Sequence, residues 1–216
     1  MVIFIIGAVA YFTFSRFRQD LNEASSSPSP SPVSQNLDFL FNKTPAPNSA
    51  QELPLSKNKH LDRFQGILKP EILQNKKAII ETAKGIIELQ IYPEATKAAS
   101  NFMVLAANGF YDGLKFHRVE DWVVQGGDPE GTGSGGPGYT ELERNLFGKY
   151  DRGIVAYAKR TDESQGAFGS QFFIMKKDTP LPLEYAIFGK VISGIEVVDK
   201  LAIGDIMQKV VIQNLQ

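Results

Sequence analysis

Cysteine is absent from the 216-residue chain, which excludes a disulfide framework, a thiolate metal site and a cysteine nucleophile together. Histidine is nearly absent: His60 and His117 are the only two, too few for a multi-histidine metal centre. Net charge is lacking as well, at −1, so the basic footprint of a nucleic-acid-binding chain is missing. Long apolar runs are also missing. Val2 to Phe14 is nearly free of polar groups, but as a helix at about 1.5 Å per residue it falls short of a ~30 Å hydrocarbon core. What is plentiful is hydrophobic side chain, 43% of residues with 11% aromatic, enough to bury a real core.

The N-terminal third reads as an attachment to that core. Residues 1–19 have the length of a signal-peptide apolar region, without a basic leader before it or a clear small-residue cleavage site after it. A buried core helix would need a folded partner nearby, and the sequence that follows supplies none; membrane association is the expected role. Arg16 and Arg18 on its C-terminal flank favour a cytoplasmic domain. The signal-like length and the long Pro/Ser tether favour an extracytoplasmic one, in a periplasm or thylakoid lumen, and that is the side expected. Residues 20–76 read as a tether, because Ser25 to Pro32 alternates serine with proline, and Pro45, Pro47 and Pro54 continue the theme. Within it, His60 to Leu73 suits a short helix interrupted at Pro70, and its apolar residues are the ones able to dock on a neighbouring domain. As a spacer, Met1 to Asn75 is expected to be removable without loss of stability.

From residue 77 to 216 the texture is that of one domain. Ala78 to Thr82, a turn at Ala83-Lys84-Gly85 and Ile86 to Tyr92 predict a hairpin, with Ile87, Leu89 and Ile91 alternating with Glu88 and Gln90. Thr96 to Asn108 predicts a helix ended by Gly109, and Gly194 to Ala202 a second with Ser193 as N-cap. Strand-like runs follow at Trp122–Gln125, Ile154–Ala158, Gln171–Met175, Ala186–Val191 and Val210–Ile212. Many short strands and two helices predict a mainly β domain, a closed antiparallel barrel capped by helices.

Chemistry is harder to place. GTGSGG, Gly131 to Gly136, satisfies a dinucleotide fingerprint by letter, but Pro137-Gly138 follows where a helix is required, so a tight glycine loop is the better reading. Ser134 and Ser170 lie outside the nucleophile-elbow motif, and His117, the only base available in the domain, sits in an apolar stretch and is expected to be a hydrogen-bonded core residue. Left over are Arg118, Gln125, Gln171 and Asn101 among Phe116, Trp122, Phe172 and Phe173. That set offers no acid–base pair, metal cluster or nucleophile. It suits a reaction that breaks no covalent bond.

Four segments carry a resemblance. FHRVEDWVVQGGDPEGTGSGGPGY (Phe116 to Tyr139), GSQFFI (Gly169 to Ile174), YAIFGKV (Tyr185 to Val191) and NFMVLAANGFYDG (Asn101 to Gly113) resemble, in order, the hallmark motifs of the cyclophilins, here of a bacterial or cyanobacterial, membrane-tethered kind. The likeness runs from Ala78 to about Ile212. It implies a closed eight-stranded antiparallel barrel capped by two helices, and peptidyl-prolyl cis-trans isomerase activity without metal or other cofactor. Proline-containing peptide segments are the implied partners, and a monomer the implied state. Carried over by position, Arg118 is the catalytic arginine and Gln125 the glutamine that orients it. Phe116, Trp122, Val123, Ala158, Lys159, Gln171, Phe173, Leu181 and Tyr185 line the substrate site, with Phe173 as its floor and Leu181 as a wall. The chain departs from the family in three places. Arg118 to Gln125 is one residue short, Arg160 to Gly169 is longer than in animal members, and Pro180 replaces the tryptophan before the wall leucine, an anchor for cyclosporin. A module that only binds proline segments is the alternative; retention of Arg118 favours the enzyme.

Overall fold

The computed structural model describes residues 59–61 and 63–215; residues 1–58, with the apolar segment and most of the tether, lie outside the described residues. In chain order these form helix α1 (Pro70–Leu73), strands β1 (Lys76–Thr82) and β2 (Gly85–Ile91), helix α2 (Thr96–Ala107), strands β3 (Arg118–Val119), β4 (Val123–Gly126), β5 (Glu141–Leu142), β6 (Ile154–Tyr157), β7 (Ala167–Phe168), β8 (Phe172–Met175) and β9 (Ile187–Ser193), helix α3 (Ile195–Lys200) and strand β10 (Lys209–Asn214). Eight strands make one antiparallel sheet in the order β10-β1-β2-β9-β6-β8-β4-β3, while β5 and β7 pair separately.

The hairpin forms as its alternation predicts: Ile87, Leu89 and Ile91 are buried, and Gly85 takes φ +133° at the turn. Helix α2 differs from a one-faced amphipathic helix. All nine residues from Ala98 to Ala106 are buried, because the helix lies within the curl of the sheet. Phe102 stacks on Tyr111 at 5.0 Å and meets Phe172 and Phe188 at 5.7 and 4.8 Å, an aromatic centre for the main core. Glu143, itself buried, caps the helix by accepting the Lys97 and Ala98 amides.

Three expectations differ from the structure. A closed barrel is not shown: β10 and β3 end the strand order, and the chain segments just before them meet only through an isolated Lys115–Ile206 bridge and flanking amide bonds such as Phe116 N to Asp205 O at 2.8 Å. Ser193 does not cap α3. It ends β9, and Gly194, at φ +81°, is the N-cap because an added Cβ there would strike the Ile86 carbonyl.

The third difference is the tether's end. Residues 59–75 are not a free spacer: Leu68 and Leu73 are 2% exposed and belong with Ile72 to the main core, and Pro70 opens α1 at a position that needs no amide donor. Burying each of those leucines contributes about 1.5–3 kcal/mol, so removal of Met1 to Asn75 is expected to destabilise the domain.

Candidate active site

Alternation along each strand sends successive side chains to opposite faces of the sheet. Phe172 and Ile174 of β8 enter the main core; Phe173 and Met175 face outward. The ladder then fixes which outward residues are neighbours. Arg118 pairs with Gln125, Gln125 with Phe173, Phe173 with Ala156 and Ala156 with Ile187, one row crossing β3, β4, β8, β6 and β9. Around it lies a second apolar cluster of Val123, Tyr150, Ile154, Ala156, Phe173, Met175 and Ile187, with Trp122, Ala158, Leu181 and Tyr185 partly buried at its rim. The Tyr185 ring stands edge-on to Phe173 at 5.4 Å and to Tyr150 at 5.9 Å.

A polar chain borders this cluster. Arg118 Nη1 donates to Gln125 Oε1 at 3.1 Å, Gln125 Nε2 donates to Gln171 Oε1 at 2.9 Å, and Gln171 Nε2 donates to the Gly135 carbonyl at 2.8 Å. Arg118 Nε donates to Glu120 at 2.7 Å, and the guanidinium lies 5.3 Å from the centre of the Trp122 ring. The arginine is thus held from three sides. Among the described residues its Nη2 has no hydrogen-bond partner, which leaves a cationic donor facing outward. Hydrogen bonding from Arg118 also holds the Glu120 carboxyl below its usual pKa.

The glycine-rich loop has a cause that the sequence reading did not find. Asp128 is 1% exposed; its carboxylate accepts the Glu130 amide at 2.8 Å and the Gly133 amide at 2.5 Å. Burial pushes its pKa up, but backbone donors at Glu130, Gly133, Gly135 and Gly131 outweigh that and hold it below the ordinary range. An added Cβ at Gly135 would sit 2.1 Å from the carboxylate, so only glycine allows the wrap. The signal was available as an aspartate three residues ahead of the Gly131 to Gly136 run. The loop and residues 158–160 border a second cleft of about 540 Å³ next to Gln125 and Gln171.

Of the expected site residues, Arg118, Gln125, Trp122, Val123, Ala158, Gln171, Phe173, Leu181 and Tyr185 come together on this face. Lys159 joins them: its side chain is 8% exposed, 3.4 Å from the Glu184 carboxylate, with Nζ 5.8 Å from the Tyr185 ring centre. Phe116 does not join them. It is fully buried in the main core, two residues before Arg118 and against Gly126. His117 is neither a core residue nor hydrogen-bonded, against expectation: it is half-buried, its two ring nitrogens are shielded without a partner among the described residues, and the nearby Gln171 amide is already committed to Gln125 and Gly135. Burial lowers its pKa, opposed by Asp128 and reinforced by Arg118.

Residues 77–216 match the family described as cyclophilin type peptidyl-prolyl cis-trans isomerase, and the chain belongs to it. Among its relatives is a peptidyl-prolyl cis-trans isomerase of Helicobacter pylori, 42% identical over 156 residues, covering 68% of this chain and 93% of that one. Peptidyl-prolyl cis-trans isomerase B of Bacillus subtilis is 44% identical over 134 residues, 59% of this chain and 91% of that one. Among solved structures, a cyclophilin-type isomerase of Cryptosporidium parvum crystallised with the dipeptide Ala-Pro is 32% identical with a TM-score of 0.57, covering 64% of this chain and 99% of that one. The activity that goes with this family, isomerisation of bonds preceding proline, is the activity of this chain.

Proposed function

We propose that the outward row is where the isomerisation is catalysed, with Arg118 as the catalytic residue and Gln125 as the residue that positions it. The observation that carries this reading is the outward Nη2 donor beside an apolar floor. A peptide bond resists rotation because the nitrogen lone pair is delocalised into the carbonyl, with a barrier of about 18–20 kcal/mol. Midway through rotation that lone pair is localised on the prolyl nitrogen. A donor aimed there stabilises the twisted state more than the planar one, and only such differential binding raises the rate. Arginine supplies a donor that never loses its charge near neutral pH, and each 1.36 kcal/mol gained is about tenfold in rate. Phe173, Val123, Leu181 and Trp122 would grip the proline ring while the residue before it turns.

The domain acts as a monomer on proline-containing segments of protein clients, attached by residues 1–19 to a membrane and facing its extracytoplasmic side. The apolar segment and the Pro/Ser stretch support that placement. Two experiments test the reading. In a coupled tetrapeptide assay, Arg118→Ala is expected to lose about 10²- to 10³-fold in kcat/KM, the scale of removing one preorganised transition-state donor; wild-type turnover in the folded variant overturns the mechanism. Fractionation with protease protection should find the chain in the membrane pellet with its domain shielded from cytoplasmic protease. A soluble or cytoplasm-accessible domain overturns the location.

A further inference from the structure

The part of the tether next to the domain reaches the glycine-rich loop, and through it the polar chain that holds Arg118. Lys59 Nζ donates to the carbonyls of Gly109, Phe110 and Asp112 at 3.1, 2.7 and 2.6 Å, capping the turn after α2 with a cation. Two residues on, the Leu61 amide donates to the Pro137 carbonyl at 2.6 Å. Gly138, at φ +101°, lies directly against this segment: a Cβ there would sit 2.4 Å from the His60 ring and 2.5 Å from the Leu61 carbonyl. Phe64 meets the Tyr139 ring at 6.3 Å, and the Leu68 amide donates to Ser100 Oγ of α2 at 2.9 Å. Contacts therefore recur at both ends and the middle of the segment, and three consecutive loop residues, Pro137 to Tyr139, take part.

Those loop residues lie close to the reacting groups. Gly135, two positions before Pro137, accepts the Gln171 amide that sets Gln125, which in turn sets Arg118. Tyr139 donates through its hydroxyl to Asn101 Oδ1 at 2.6 Å, and Asn101 Nδ2 donates to the Gly169 carbonyl at 2.8 Å, two residues before Gln171. Gln171 is thus reached on one side through Tyr139, which the segment touches, and on the other through Gly135, two residues ahead of the loop residues it touches.

We propose that residues 59–61 and 63–68 are a strap that fixes the glycine-rich loop, so that Lys59 and the Leu61 amide act as positioning groups for Gln171, Gln125 and Arg118. The stretch joining tether to domain then belongs to the isomerase machinery, and events on the tether reach the catalytic arginine. This rests on the reading of Arg118 as the catalytic residue.

The test uses the full chain with Leu61→Pro, which deletes the amide donor, and Lys59→Met, which deletes the ammonium; the second stands if the first fails to fold. Each variant is expected to lose about three- to tenfold in kcat/KM, the scale of one hydrogen bond expressed in the transition state. The loss falls on kcat, since the apolar floor is untouched, and Lys59→Arg recovers most of it. Trp122 is the only tryptophan in the chain, so its emission reports on the guanidinium beside it and is expected to shift in both variants. Unchanged kcat and unchanged emission in folded strap variants, beside an inactive Arg118→Ala, overturn the strap alone. Full turnover in Arg118→Ala overturns the catalytic assignment beneath it.

Discussion

On the inner face of β4, β6 and β8, Val124, Val155, Tyr157, Phe172 and Ile174 are fully buried in the main core. On the outer face of the same strands, Val123, Ala156, Phe173 and Met175 are almost as well covered, but by loop side chains such as Tyr150, Tyr185 and Leu181. Composition does not separate the two faces. What separates them is the neighbourhood: the inner face meets only apolar and aromatic core side chains, whereas the outer face ends at a cation held by Gln125 and Glu120, with Gln171 holding Gln125. An apolar cluster that opens beside a preorganised charge is a place for a partly apolar ligand; the inner cluster is a place for stability.

Substitutions on the two faces sharpen that contrast. Phe172→Ala is expected to cost about 3–5 kcal/mol, lowering the melting temperature by roughly 2–4 °C per kcal/mol. Its neighbour substituted as Phe173→Leu keeps an apolar side chain and costs less than the full truncation of Phe172, but loses the ring contacts with Tyr150 and Tyr185 and raises KM for proline peptides. Equal melting shifts for the two would erase the distinction between the faces.

Leu68→Ala comes next, at about 2–4 kcal/mol, because the strap contributes to the inner core. Removing residues 1–58 is expected to leave the melting temperature unchanged, while removing 1–75 lowers it clearly. If both truncations melt alike, the strap is not part of the fold.

Asp128→Asn should cost about 1.5–3 kcal/mol at neutral pH, as the loop amides lose a charged acceptor. The folded pKa lies below the ordinary 3.8, so the wild-type advantage is complete above that value and lost as pH falls through the lower folded pKa. Urea melts of both proteins should converge in acid; a gap that persists at the lowest pH contradicts the carboxylate account. Trp122→Phe has the smallest effect, about two- to fivefold in kcat/KM from a weakened cation–π contact.

Much of this was legible beforehand because it follows local rules. The alternation of Ile87, Leu89 and Ile91 set the faces of the hairpin and Gly109 marked a helix end, whereas Pro70 opens a four-residue helix instead of interrupting one over His60 to Leu73. Less legible was anything decided across the fold. Every residue of β8 is buried, so its period of two is invisible in hydropathy, and nothing local assigns Phe172 inward and Phe173 outward. Phe116 was misplaced for the same reason: it shares a motif with Arg118 but faces the core. The strap was hidden by the prolines on either side of it, Pro45, Pro47 and Pro54 before it and Pro70 after. They do disfavour regular structure, yet a chain without regular structure can still dock when leucines such as Leu68 and Leu73 find a core. Asp128 draws no reading from the sequence, because its role lies in amide partners that only the folded loop brings to it.

The central claim is that Arg118 drives rotation, separately from the apolar floor that holds the proline. Exchange NMR on a proline-containing peptide, with a small amount of full chain, tests both parts in one sample. The account predicts strong cis–trans cross-peaks with wild type and their loss with Arg118→Ala, while the peptide still perturbs the Phe173 and Trp122 resonances of that variant. Cross-peaks of equal strength from Arg118→Ala would contradict it.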